Sequence, residues 1–381
     1  MRASTSRTAV AVVIAGLTLT ACGSEDGGSG GSSGGSDAAT ATSAEEFGGM
    51  DALVSAAQEE GELNVIALPP SWSNYQEMLD TFSAKYDIAI NSATPDGSSQ
   101  DELNAVTSQK GQDRAPDVLD LGTSFAKQGA AQGLLAPYEV ATWDDIPENQ
   151  KDPQSRWYND YGGFISIGCN ASVVAECPTT FADLLDPQYA GQVALNGNPT
   201  QAAAAFSGVW AASLANGGSL DDIGPGIDFF VELKQAGNFN PVESTPATVE
   251  SGETPISLDW DYVNAGMTET LADRGVDWQV NVPSDGLFGS YYSQAISKFA
   301  PHPAAARLWQ EFLYSDEGQN IWLKGLSRPV RLDAMTEAGT VDKEALAALP
   351  EVEGEVEFPD DEQQTAAQAV VAERWNAEIS G

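Results

Sequence analysis

From Leu63 onward the chain alternates short apolar runs with amphipathic stretches. "LNVIAL" is a compact apolar run and predicts a strand. In "SNYQEMLDTFSAKY", Tyr75, Met78, Leu79 and Phe82 recur at the spacing of one helix face. Ser73 and Gln76 fit a capping box at its start. "IAINSA" predicts the next strand, a polar stretch near Gln100 to Lys110 the next helix, "DVLDLG" a third strand and Ser124 to Gln132 a helix after it. A second block begins at "FISIGC" and "QVALNG", continues through helical stretches at about 200–216 and 225–237, and reaches the strand "ISLDW". "YYSQAIS" predicts a further strand. It leads into a helix with Ala305, Leu308, Trp309, Phe312 and Leu313 on one stripe and Pro303 in its first turn. The tail after Asp333 is acidic and predicts a last helix over Gln363 to Trp375. Such alternation implies an α/β fold with a mostly parallel sheet flanked by helices in each block. A length of 381 residues, 42% of them apolar, fits two lobes with sizeable cores.

The first residues follow a different pattern. Arg2 and Arg7 precede the apolar run "AVAVVIAGLTL", which is too short to span a bilayer permanently. "LTAC" follows, ending at Cys22. This order predicts a lipoprotein signal over 1–21, cleaved before a lipidated Cys22. Residues 22–48 are rich in Gly and Ser and nearly free of apolar residues, so they predict a flexible tether. The folded part is therefore expected outside the cell, held close to the membrane.

The formal net charge of −39 repels nucleic acid and anionic headgroups and attracts cations over long range. Solubility in salt is an equally good reason for the bulk charge. Cys169 and Cys177, the cysteines other than Cys22, are expected to form a disulfide in an exported protein. A metal pair would lack further Cys or His ligands.

Several segments resemble the extracytoplasmic solute-binding proteins of ATP-driven (ABC) importers, in the branch that includes iron(III), polyamine, thiamine and aminoethylphosphonate binders. They are "WSNYQEMLDTFSAKYDIAI", "PDVLDLGTSFAKQGAAQGLLAPY", "PTTFADLLDPQYAGQVAL", "GETPISLDWDY" and "AISKFAPHPAAARLWQEFLYSDEGQNIW". The resemblance covers about residues 55 to 330. It implies the two-lobed (type II) periplasmic-binding-protein fold, with lobe one at 49–163 and 286–334, lobe two at 164–285 and an acidic helical tail at 335–381 packing on the lobes. It further implies a ligand cleft between the lobes at strand ends, closure on a small solute, and a permease with a cytoplasmic ATPase as partner. The expected form is a monomer with no cofactor and no nucleic-acid partner.

Candidate cleft residues lie where strands end. In lobe one they are Trp72, Ser73, Asp120 and Ser124; Ser73 and Ser124 read equally as helix caps, and Asp120 as a solvent-facing strand edge. Tyr161 lies at the first crossover, with Gly162 and Gly163 read as hinge torsions. In lobe two Asp259, Trp260, Asp261 and Tyr262 match the place where polyamine binders of the family carry tryptophan and aspartate. A buried ammonium needs counter-charge, and an indole face adds about 0.5–2 kcal/mol of cation–π attraction. The bland alternative makes Asp261 a helix cap and Trp260 a core residue. Tyr291 and Tyr292 could bind iron(III), but strand alternation should point them to opposite faces. The favoured ligand is thus a small cationic solute, a polyamine or another organic amine. Iron(III), thiamine and phosphonates remain alternatives.

An enzyme is disfavoured. His302 is the single histidine and sits at a helix start, and HExxH, P-loop and GxSxG motifs are absent. A surface hydrolase using a carboxylate pair such as Asp120 and Asp259 is the remote alternative.

Overall fold

In a computed structural model, which describes residues 37–350, 352, 354 and 358–380, one long strand joins the two halves of the fold. The strands are β1 (Glu62–Ile66), β2 (Ala89–Ala93), β3 (Val118–Gly122), β4 (Leu135–Ala136), β5 (Tyr158–Asn170), β6 (Val193–Leu195), β7 (Ile256–Trp260), β8 (Trp278–Asn281), β9 (Gly289–Ser297) and β10 (Arg328–Pro329). β1 and β2 pair in parallel. The main sheet runs β3-β9-β5-β7-β6. Between Tyr158 and Phe164, β5 pairs with β9, and Tyr161 and Gly162 also face β10. From Ile165 onward β5 pairs with β7 and β8. One strand therefore serves both lobes.

Among the described strands, β1–β2 and β6–β7 pair in parallel, the units linked through helices. β3, β9, β5 and β7 alternate in direction. The reason is connectivity: β5 leads from the first lobe to the second and β9 leads back, so neighbours at the crossover must run antiparallel.

The helix with the Tyr75, Met78 and Phe82 stripe spans Tyr75–Tyr86, and all three side chains are buried. Its predicted capping box does not form. Ser73 and Asn74 both adopt positive φ, and the Ser73 hydroxyl is buried against Ser327 instead. The capping box lies on the next helix, Ser99–Ser108, where Ser98 and Asp101 exchange hydrogen bonds. The long apolar stretch after Pro303 divides into Pro303–Leu313 and Asp316–Lys324, because Ser315 accepts from the Gly318 N–H and restarts the helix. Trp309 meets Phe82 of the Tyr75–Tyr86 helix edge to face at 5.0 Å in the core.

Gly162 and Gly163 have ordinary negative φ, so the torsional reading of these residues is replaced by one of close approach. A Cβ on Gly162 would lie 2.4 Å from the Ser290 carbonyl oxygen, and one on Gly163 would lie 2.3 Å from Asp261 Oδ1. Side chains there would push β9 and the start of the Asp261–Gly266 helix off the crossover.

The body begins earlier than the composition suggested. Ala41 is fully buried, Ser43 caps the Ala44–Phe47 helix, and the buried Arg307 donates to the carbonyls of Ala41 and Ala39 at 2.8 and 3.2 Å. Residues 37–48 are therefore folded rather than tether, because backbone carbonyls there satisfy a buried guanidinium that is otherwise costly. The expected signal, Cys22 and the earlier Gly/Ser tract lie outside the described residues. Among the described residues no helix is long and apolar enough to cross a membrane.

Cys169, at the end of β5, is disulfide-bonded to Cys177, with Cα atoms 5.8 Å apart. In the chain-entropy model a loop this short contributes roughly 2–3 kcal/mol. The tail folds back onto the body. The Asp361–Trp375 helix sets Trp375 at 5.2 Å from Phe230, and Phe358 lies 5.5 Å from Tyr291.

Candidate functional site

Three strand ends and two capped turns converge on a cavity of about 300 Å³. On the first-lobe side its wall includes Trp72, Asp96, Asp101, Glu102 and Asp120; on the other it includes Asn196, Glu243 and Asp259, with Tyr292 from β9. Six of the lining residues are acidic, and among the described residues none of the lining side chains is basic.

Asp120 sits two residues before the C-terminal end of β3. Its Oδ2 accepts from the Tyr161 and Tyr75 hydroxyls at 2.7 and 2.8 Å. Trp72 Nε1 donates to the Tyr161 oxygen at 2.8 Å, so the indole is fixed through the same tyrosine. Gln294 supports Tyr75 at 3.1 Å and reaches the buried Asp160 at 2.9 Å. The other oxygen of Asp120 is buried and has no hydrogen-bond partner. Burial pushes the Asp120 carboxyl up to about 7, although the two tyrosine hydroxyls favour its ionised form. Glu102 lies beside it, accepting the Asp120 N–H at 2.9 Å, and burial holds its carboxyl well above the usual range.

Asp259 faces the cavity from the end of β7. It accepts from Asn196 Nδ2 and from the Trp260 N–H, both at 2.7 Å. Burial pushes its carboxyl, too, up to about 7, against the pull of those two donors. Trp72 and Tyr292 meet edge to face at 5.8 Å and give the cavity an aromatic wall. The N-terminus of the Ala203–Ala215 helix also borders it, with no side-chain cap at Ala202. That end carries a partial positive charge of about half a unit.

The other candidates take different places. Asp261 is fully buried off the cavity, held by Arg328 at 2.6 Å and by the Phe164 N–H at 2.9 Å. Burial raises its carboxyl, and Arg328 pulls against the rise. Trp260 and Tyr262 stack at 6.2 Å beneath the wall, and Tyr262 packs edge to face on Trp72 at 5.8 Å. They support the aromatic wall from behind because their strand end turns inward at Trp260. Tyr161 is likewise behind the wall. Ser73 is turned away towards Ser327. Ser124 is buried beside Trp260 and Phe288, outside the main cavity, and caps nothing: its helix starts at an uncapped Gly122. Alternation along β9 sends Tyr292 to the cavity and Tyr291 to Phe358. His302 Nδ1 lies 2.9 Å from Asp117, which also accepts the His302 N–H, and this bond raises the imidazole above its ordinary value. The histidine serves as a strand-to-helix fastener, far in role from the cavity.

Sequence reasoning missed Asp96, Asp101, Glu102, Asn196 and Glu243. Asn196 was detectable, since it follows the apolar "VAL" of β6 directly and strand ends carry the site. Asp96 and Glu243 sit in loops whose facing across a cleft no local pattern encodes.

The bacterial extracellular solute-binding protein model matches residues 113–351, well over half of the chain. No curated protein matches. Among solved structures, the periplasmic binding protein AfuA from Actinobacillus pleuropneumoniae, with fructose-6-phosphate bound, is 19% identical with a TM-score of 0.66, covering 84% of this chain and 99% of that one. Ferric ion-binding protein A of Pasteurella haemolytica is 18% identical with a TM-score of 0.56, covering 84% and 100%. The Atu4243 GABA receptor is 19% identical with a TM-score of 0.59, covering 83% and 97%. At such identities the likeness concerns the fold, which is the two-lobed one of periplasmic binding proteins. With its matched segment spanning both lobes, this chain belongs to the bacterial extracellular solute-binding protein family that serves ABC importers.

Proposed function

We propose that the cleft captures an organic amine, with a polyamine such as putrescine or spermidine as the leading choice, and hands it to a membrane permease. The observation that carries this reading is the wall of six carboxylates without a basic side chain among the described residues. An ammonium entering there meets the unpartnered Asp120 oxygen on one side and Asp259 on the other, with Trp72 and Tyr292 to replace water on its apolar flanks. A phosphate or phosphonate would enter a wall of its own sign, opposed only by the half charge of one helix end. Iron(III) would want both tyrosines of the β9 pair, and Tyr291 faces Phe358 instead. Thiamine, also a cation with aromatic rings, is a member of the same chemical class. Binding without turnover fits the family to which the chain belongs, that of bacterial extracellular solute-binding proteins.

A thermal-shift screen of the purified protein against amines, thiamine, iron(III), phosphonates and sugars tests this. A ligand at 100 times its Kd stabilises by about 2.7 kcal/mol. A shift with phosphonates or iron(III) and none with amines would sink the reading.

Binding should depend on pH. Asp120 and Asp259 rise from 3.8 to about 7 on folding in the empty protein. Their protonated forms thus contribute stability that is complete below about 3.8 and lost as pH rises through about 7. A cation binds the ionised forms, so it must displace those protons below pH 7. Amine affinity should therefore rise with pH by up to about tenfold per unit for each carboxyl that ionises, levelling off above about pH 8. Titrations at pH 5.5, 7 and 8.5 (about evenly spaced around that value) check this, and an affinity that is flat or falls with pH contradicts it.

We further propose that the mature protein is held at the membrane by a lipid on Cys22, as "LTAC" and the following Gly/Ser tract support. Cys22→Ala should release the protein to the medium or leave it unprocessed. Unchanged membrane fractionation of that variant through a lipid would refute the anchor.

A further inference from the structure

We infer that the cleft counts charges: Asp120 and Asp259 face one ammonium at the floor, Asp96 and Glu243 face a second at the mouth, and the ligand carries at least two. This rests on the amine reading above. The four carboxylates divide by lobe as well as by depth. Asp96 lies in the loop between β2 and the Ser99–Ser108 helix, on the side of Asp120. Glu243 lies in the loop between the Gly224–Ala236 and Pro246–Ser251 helices, on the side of Asp259. All four line one cavity. Asp120 and Asp259 are nearly inaccessible at 5% and 2%, whereas Asp96 and Glu243 are exposed, which sets floor and mouth.

The remaining two acids, Asp101 and Glu102, have no acidic counterpart left on the opposite wall among the described residues. Asp101 accepts from the Ser98 N–H at 3.0 Å and from its hydroxyl, and Glu102 takes the Asp120 N–H. Asp120 is buried beside the Glu102 and Asp160 carboxyls and, after burial itself, helps hold both above their usual range, so the floor is short of positive charge. A single ammonium there answers the floor pair and leaves Asp96 facing Glu243 with like sign across the mouth. Desolvation at the mouth and, after it, the Asp96 charge hold the Glu243 carboxyl above its ordinary range. Closing the lobes brings that pair together, so closure favours a ligand whose second positive group lies between them. The feature of the wall that would instead favour a negative second group is the uncapped N-terminus of the Ala203–Ala215 helix.

Calorimetric titration of the full protein with putrescine, butylamine and γ-aminobutyrate, which share a four-carbon chain, separates these cases. The wild type should bind putrescine about tenfold or more tighter than butylamine, and γ-aminobutyrate weakest. In the double variant Asp96→Asn, Glu243→Gln the gap between putrescine and butylamine should shrink to within about threefold. Equal binding of the two amines by the wild type, or a gap that survives in the double variant, overturns the charge count and leaves the amine reading standing. Tightest binding of γ-aminobutyrate overturns it in favour of the helix end. Absence of binding by every amine, spermidine and thiamine included, overturns the charge count together with the amine reading.

Discussion

Asp259→Asn should weaken amine binding by about thirtyfold to several thousandfold, roughly 2–5 kcal/mol, with little change in melting temperature. Asparagine keeps the size of the side chain and an oxygen for the Trp260 N–H, and its amide group can donate to Asn196 once that side chain turns its own oxygen inward. It removes the charge that answers a desolvated ammonium. Asp120→Asn should have a comparable effect, since its remaining oxygen can still accept from Tyr161 and Tyr75. If both variants bind with wild-type affinity in a calorimetric titration, the two carboxylates are scaffolding and the cage does not exist. Trp260→Ala should behave differently. The indole is buried behind the wall, so its loss should lower stability by about 3–5 kcal/mol before it alters ligand chemistry.

Arg328→Met should be the most destabilising single change at the crossover, costing about 3–5 kcal/mol. Arg328 is mostly buried, and its partner Asp261 is fully so. Removing the guanidinium leaves a buried carboxylate held by two backbone N–H groups alone. Burial already raises that carboxyl, so without Arg328 it can take a proton as pH falls. The loss measured by urea unfolding should therefore be smaller at about pH 5 than at about pH 8. A variant as stable as the wild type at the higher pH would show that the pair contributes nothing. Guanidinium 328 also donates to the Pro350 carbonyl at 2.9 Å, which ties the start of the tail to the same point.

The fold was legible because its signals are local. The Tyr75, Met78 and Phe82 stripe, the runs that became β1, β3, β6 and β7, and the helix at Pro303 all follow from periodicity. The directions of β5 and β9 were not legible, because alternating β and α units suggest parallel sheets and say nothing of a strand shared by two lobes. Part of the cavity was legible too. Trp72, Asp120 and Asp259 were singled out as strand-end residues and line it, as does Tyr292, which the sequence could not choose over Tyr291. Asp261 was misplaced for a physical reason: alternation alone would set it on the face of Asp259, but β7 ends at Trp260 and Asp261 opens the next helix, where a distant arginine meets it. Nothing local in "DWDY" announces Arg328. Ser73 was misread because a hydroxyl before a helix suggests a cap, whereas positive φ at Ser73 and Asn74 turns it inward.

The most direct test of an amine-capturing cleft is a calorimetric titration of the purified protein at about pH 8, where both floor carboxyls are ionised. Putrescine, spermidine, inorganic phosphate and a ferric chelate are each titrated separately. The account predicts one saturable site for an amine, with affinity that falls as salt is raised and none of that binding for phosphate or iron. Saturable binding of phosphate or iron, with no heat from any amine, would contradict it.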